Sequence, residues 1–97
     1  MSDLLTRPML ESLVGGSFQA LNVAPAPVVL VLAEVAGGPS SPRQEAWSAT
    51  FRGPAGLPQQ IYRLAHPALG EFEIFLVPVG QDERGGIYEA VFNRLLG

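Results

Sequence analysis

Apolar and polar residues alternate with a period of two over much of this chain. In "EAWSATF" (45–51), Trp47, Ala49 and Phe51 share one parity, while Ser48, Thr50 and then Arg52 take the other. That pattern predicts a half-buried strand with its large apolar groups on one face. "QIYRLAH" (60–66) sets Tyr62, Leu64 and His66 against Ile61, Arg63 and Ala65. "EFEIFLVPV" (71–79) sets Phe72, Ile74 and Leu76 against Glu71, Glu73, Phe75 and Val77. Pro78 lacks a backbone donor, which places it near a strand end or on an edge. "SFQALNVA" (17–24) is a more modest strand, with Phe18, Ala20 and Asn22 on one parity. "PVVLVLAEV" (27–35) is apolar on both parities and rich in valine, the mark of a strand buried on both sides.

Two segments depart from this period. Leu10, Leu13 and Val14 fall at helical spacing after Pro8, and Gly15-Gly16 follows, so one short helix is expected near the N-terminus. In "IYEAVFNRLL" (87–96), Ile87, Tyr88, Val91, Phe92, Leu95 and Leu96 make a helical stripe. The glycine-rich hairpin signal "GQDERGG" before it and its β-forming residues favour a strand through about Asn93. "GGPSSPR" (37–43) reads as a loop. Six short strands in one chain predict an all-β domain, a small six-stranded antiparallel barrel or barrel-like sandwich with a short N-terminal helix. The 97 residues form a single domain, 1–97, with no internal repeat and no linker that would split it.

Composition narrows the function more than it defines it. Hydrophobic residues make up 47% of the chain and charged residues 15%, against about 25% charged in an average domain. A weakly charged surface leaves room for a contact with a protein partner or a second copy. Every basic residue is an arginine and the net charge is −3, which argues against nucleic acid. The lack of lysine removes Schiff-base chemistry, and the lack of cysteine removes thiolate nucleophiles and cysteine-ligated metals. The N-terminus has no basic start and long apolar core of a signal peptide, and the longest apolar run, "VAPAPVVLVLAEVA", is broken by prolines and too short to cross a bilayer. The expectation is a cytoplasmic protein with no membrane contact.

The motifs "FRGP" (51–54), "LPQQIYRLAHPALGEFEIFLVPVG" (57–80) and "YEAVFN" (88–93), with Leu13 to Phe18 before them, cover nearly the whole chain. They resemble an uncharacterised bacterial family of small all-β domains, about the length of this chain. The resemblance implies a domain of unknown function found near genes for phage-tail-collar-like proteins, and hence an assembly or accessory role. It carries over no catalytic residue.

The stretch "FRGPAGLPQQIYRLAHP" (51–67) holds the one histidine and invites a reactive reading. Arg52, Arg63 and His66 would have to converge with Glu71 or Glu73 into an anion-binding or acid/base site. Histidine catalysis needs a nucleophile or an orienting carboxylate within hydrogen-bond reach, and Arg63 and His66 have opposite parity on a regular strand. The competing reading is turn chemistry. Gly53-Pro54 opens a turn, Leu57-Pro58 gives an extended entry, and His66-Pro67 ends a strand with the imidazole bonded to nearby backbone. Glu71 and Glu73 with one histidine fall short of a metal set. Trp47, Phe51, Phe72, Phe75, Tyr88 and Phe92 could line a ligand cavity, but six strands enclose a narrow interior that side chains fill. The reading favoured is a non-enzymatic structural or interaction module with no cofactor and no metal. Its candidate partner contacts are Arg52, Pro54, Tyr62, Arg63 and His66. A small-molecule-binding barrel is the alternative, and a small hydrolase or isomerase using His66 as base is the third.

Overall fold

The computed structural model describes residues 6–37 and 44–95. A short helix α1 (Arg7–Glu11) precedes six strands: β1 (Ser17–Ala20), β2 (Val28–Gly37), β3 (Gln44–Gly53), β4 (Gln60–His66), β5 (Gly70–Asp82) and β6 (Gly85–Leu95). All pairings are antiparallel, and the strands close into a barrel in the order β1-β2-β3-β6-β5-β4. Period-two patterning leads to this closure because each strand offers one apolar face, and a ring lets all six faces meet in one core. The region 87–95 is strand, with an unbroken ladder to β3 from Gln44↔Leu95 to Gly53↔Gly86. Ten paired rungs outweigh the helical stripe that the same residues carry.

Phe18, Leu30, Leu32, Trp47, Phe51, Tyr62, Leu64, Ile74, Leu76 and Tyr88 are buried in one cluster. Burying each large apolar side chain contributes about 1.5–3 kcal/mol. The core is tied together by Phe18, which meets Phe51 and Phe72 edge-on. Trp47 and Phe92, opposite each other on β3 and β6, stack at 4.0 Å. Helix α1 is shorter than its stripe implies. Thr6 caps it by accepting from Met9 N–H, Leu10 is buried, and Val14 lies beyond its end and is exposed.

One expectation is corrected. Strand β2 is buried on one side, not both: Leu30 and Leu32 point inward, while Val29 is 50% and Val31 37% exposed. A barrel strand has only one face on the core, and valine's fit to pleated backbone does not depend on which face it occupies. The loop expected at 37–43 lies outside the described residues beyond Gly37.

Pro78 falls in the middle of β5, and the ladder explains how it is tolerated. The β4–β5 pairing ends at Gln60↔Leu76, and the β5–β6 pairing takes over from Val77↔Glu89 to Asp82↔Gly85, with a bulge between Pro78 and Gly80. Pro78 sits opposite Tyr88, whose amide faces β3, so the missing N–H would point to the side that β4 has already left.

The seam that closes the ring is short. β1 and β4 share only Gln19↔Ala65 and Ala20↔Leu64, and Leu21 N–H donates to Arg63 O. Asn22 then extends the ladder with its side chain: Nδ2 donates to Ile61 O (3.0 Å) and Oδ1 accepts from Arg63 N–H (2.9 Å). We predict that Asn22→Ala lowers stability by about 1–3 kcal/mol, two exposed bonds at about 0.5–1.5 each. The change should also speed amide exchange at Arg63. Unchanged exchange there would show that the side chain does not close the seam.

Candidate functional site

The crossover from β3 to β4, Pro54–Gln59, must pass over one mouth of the barrel, because β4 lies across the ring beside β1 and β5. Two tyrosines rising from the core hold it. Tyr88 Oη donates to Pro54 O and accepts from Leu57 N–H (3.1 Å). Tyr62 Oη donates to Pro58 O. The "GPAGLP" loop is thus fixed near both ends by hydroxyls from β6 and β4, and Leu57 packs against the core beneath it. Burial, and then the neighbouring Tyr88, pushes the Tyr62 phenol above its ordinary value of 10.0. A raised phenol pKa means that the folded state holds its proton after the unfolded chain has lost it. This contribution is intact below pH 10.0 and is lost as pH climbs through the folded value. We expect the unfolding free energy to fall in alkali above that pH, and Tyr62→Phe to remove that part of the slope.

The five candidate contact residues occupy different settings. Tyr62 is fully buried and its hydroxyl is bonded to the loop, so it offers no surface to a partner. Pro54 is exposed on the crossover. Arg52 bridges to Asp82 (2.5 Å) on the outer wall beside the β5–β6 hairpin. That bond, with the N–H of Arg84 as a second donor, holds the Asp82 carboxyl below the ordinary carboxylate range. Arg63 faces outward and reaches Glu73, its register partner, at 3.9 Å.

His66 is half-buried at the end of β4, its ring 4.7 Å from that of Phe18. Its Nδ1 accepts from Ala68 N–H (2.9 Å), the bond to nearby backbone that the turn reading expects. Leu69 N–H closes the same turn on His66 O, and Gly70 takes the positive φ of +73° that starts β5. Glu71 and Ser17 share a shallow cleft of about 500 Å³ with His66. Among the described residues no hydrogen bond joins either of them to the imidazole. Arg52, Arg63 and His66 therefore have three separate partners and form no common centre. Among the described residues no group of three histidine or acidic side chains is placed to hold a metal ion. Nor is any helix among them long and apolar enough to cross a membrane.

The outer wall of the barrel is partly apolar. Ile61 and Phe75 lie opposite each other in register, exposed beside the Arg63–Glu73 rung, and Val79 and Val91 are exposed on β5 and β6. The alternation of β4 and β5 already sets Ile61 and Phe75 on the outward parity, while Val91 is obscured in the sequence by its place in a helical stripe.

Fold and surface together define a small closed antiparallel barrel with a packed interior and a partly apolar wall. The chain belongs to the family described as Domain of unknown function (DUF6916), which matches residues 5–92. No curated protein and no solved structure matches it.

Proposed function

We propose that this domain is a non-enzymatic interaction module that works through its outer surface. The observation that carries this reading is the division between interior and wall. Large aromatic and aliphatic side chains fill the inside, with no buried charged or polar residue among those described, while Ile61, Phe75, Val79 and Val91 are presented outside. A ligand-binding barrel needs interior space rimmed by a few polar groups. Clefts of about 480 Å³ beside Trp47 and Phe92 and about 500 Å³ beside His66 are both open to solvent rather than enclosed by the barrel, so this packing favours a protein partner over a small molecule. Arg63 stands beside Ile61 and Phe75 and supplies a polar rim contact there, whereas Arg52, on β3 across the ring from β4, lies apart from that patch. The resemblance of its motifs to domains found near phage-tail-collar-like genes supports an accessory or assembly role in such a particle. The protein is read as made in the cytoplasm, with no nucleic-acid partner.

Native mass spectrometry of the protein purified gently from its source tests this. A stoichiometric protein partner that is lost in Ile61→Lys/Phe75→Lys is the expected result. A reproducible small-mass adduct on the folded chain would replace the reading with the ligand-binding barrel. Turnover abolished by His66→Ala would replace it with an enzyme.

A further inference from the structure

β3 and β6 pair over ten rungs, but β5 follows β6 only as far as Val77↔Glu89. Among the described residues no strand pairs with the other edge of β6 from Ala90 to Leu95. Which backbone groups face that edge follows from the hairpin. Asp82 and Gly85 flank a two-residue connection and so form a pair that exchanges both hydrogen bonds. Counting along β6, whose register with β3 has no shift, Ile87, Glu89, Val91 and Asn93 turn their N–H and C=O toward the β5 side. The even residues turn theirs toward β3. Val91 and Asn93 therefore present backbone donors and acceptors to the open edge, and Phe92 between them presents none.

We propose that this edge pairs antiparallel with the same edge of a second copy, about a two-fold axis at Phe92. In that register Val91 lies opposite Asn93 of the second copy and exchanges both bonds with it, and Asn93 does the same with Val91. Phe92 meets Phe92 in the non-bonded position, where side chains across a ladder come closest. The occupant is a second copy because the edge matches itself. Its bonding residues sit symmetrically about Phe92, and the one charged residue of the segment, Arg94, falls at the register position opposite Ala90 rather than another charge. The segment also lacks the proline, lysine or bulge with which edges are usually blunted. The edge of β2 differs: Gly15 and Gly16 bond to Leu32 there, and α1 packs against the strand. The result is a closed, isologous dimer with β3-β6 continued into β6-β3 of the second copy.

This inference names a partner for the interaction reading and rests on it. The test uses the full chain. Sedimentation equilibrium should give twice the chain mass, and amide exchange at Val91 and Asn93 should slow as concentration rises. Val91→Pro removes a donor that serves only the open edge, leaving the β3 ladder intact, and should weaken the dimer by roughly tenfold or more. A dimer unchanged in folded Val91→Pro overturns the proposal. If that variant does not fold, Phe92→Cys decides in this cysteine-free chain. A disulfide forming faster there than in the exposed control Val29→Cys on β2 supports the axis, and equal rates overturn it. A monomer at every concentration that still carries a different protein in native mass spectrometry overturns the dimer but leaves the interaction reading standing. A monomer with no partner removes both.

Discussion

Gly85→Ala should be the most damaging small substitution in the chain, costing about 2–6 kcal/mol, the sum of backbone strain at roughly 1–3 and overpacking at roughly 1–3. Gly85 begins β6 at φ +131°, a conformation that L side chains rarely adopt. A Cβ there would be driven into the carbonyl oxygen of Gly53, a backbone atom at the end of β3 that has no flexible side chain to swing aside. The same carbonyl leads into Pro54, so any shift that relieved the clash would pull on the crossover held by Tyr88. Chemical denaturation with two spectroscopic probes measures the loss. A companion variant separates the two causes. Gly56→Ala shares a positive φ (+88°) but has open space around the new methyl, so it should show the strain cost without the clash. Equal losses at the two sites would mean that the contact with Gly53 has no effect.

How far such features were legible in the sequence depends on their range along the chain. β4 was readable to the residue, because Tyr62 and Leu64 alternate with Ile61 and Arg63 between Pro58 and Pro67. β6 was readable as strand only by weighing its hairpin signal against a helical stripe. The ten-rung ladder that decides the matter involves residues some forty positions away. β2 misled because valine on both parities describes a propensity, not a second buried face. Tyr62, a candidate contact in the sequence reading, is buried, as its shared parity with Leu64 already implies.

The turn chemistry of "FRGPAGLP" was legible as turns. What the turns are for was not, since the crossover's partners are hydroxyls from β4 and β6. Closure as a barrel rather than a sandwich was out of reach for a related reason. It depends on two rungs between β1 and β4 and on the Asn22 side chain, none of which has a local signature. That β5 follows β6 only as far as Glu89, while β3 follows it to Leu95, is likewise a difference in length between paired strands, visible only once the registers are known.

Tyr88→Phe should cost about 2–6 kcal/mol, because one oxygen serves two backbone groups. Its hydroxyl donates to Pro54 O and accepts from Leu57 N–H, and phenylalanine would leave both without their partner at the barrel mouth, at roughly 1–3 kcal/mol for each group left unpaired. Tyr62→Phe breaks a single bond, to Pro58 O, and should cost about half as much. The two residues hold opposite ends of one short loop, so their effects should not add. Once Tyr88 is gone the loop can swing out and rehydrate Pro58 O, making the second loss smaller. A double-mutant cycle followed by urea unfolding reads this coupling directly. Strict additivity would mean that the two hydroxyls hold independent turns, and the crossover would then not be a single rigid element. A non-additive pair would mean that "GPAGLP" moves as one body, so that Pro54 is presented at the mouth in a fixed position. That rigidity is what a contact surface needs if little ordering entropy is to be lost on binding.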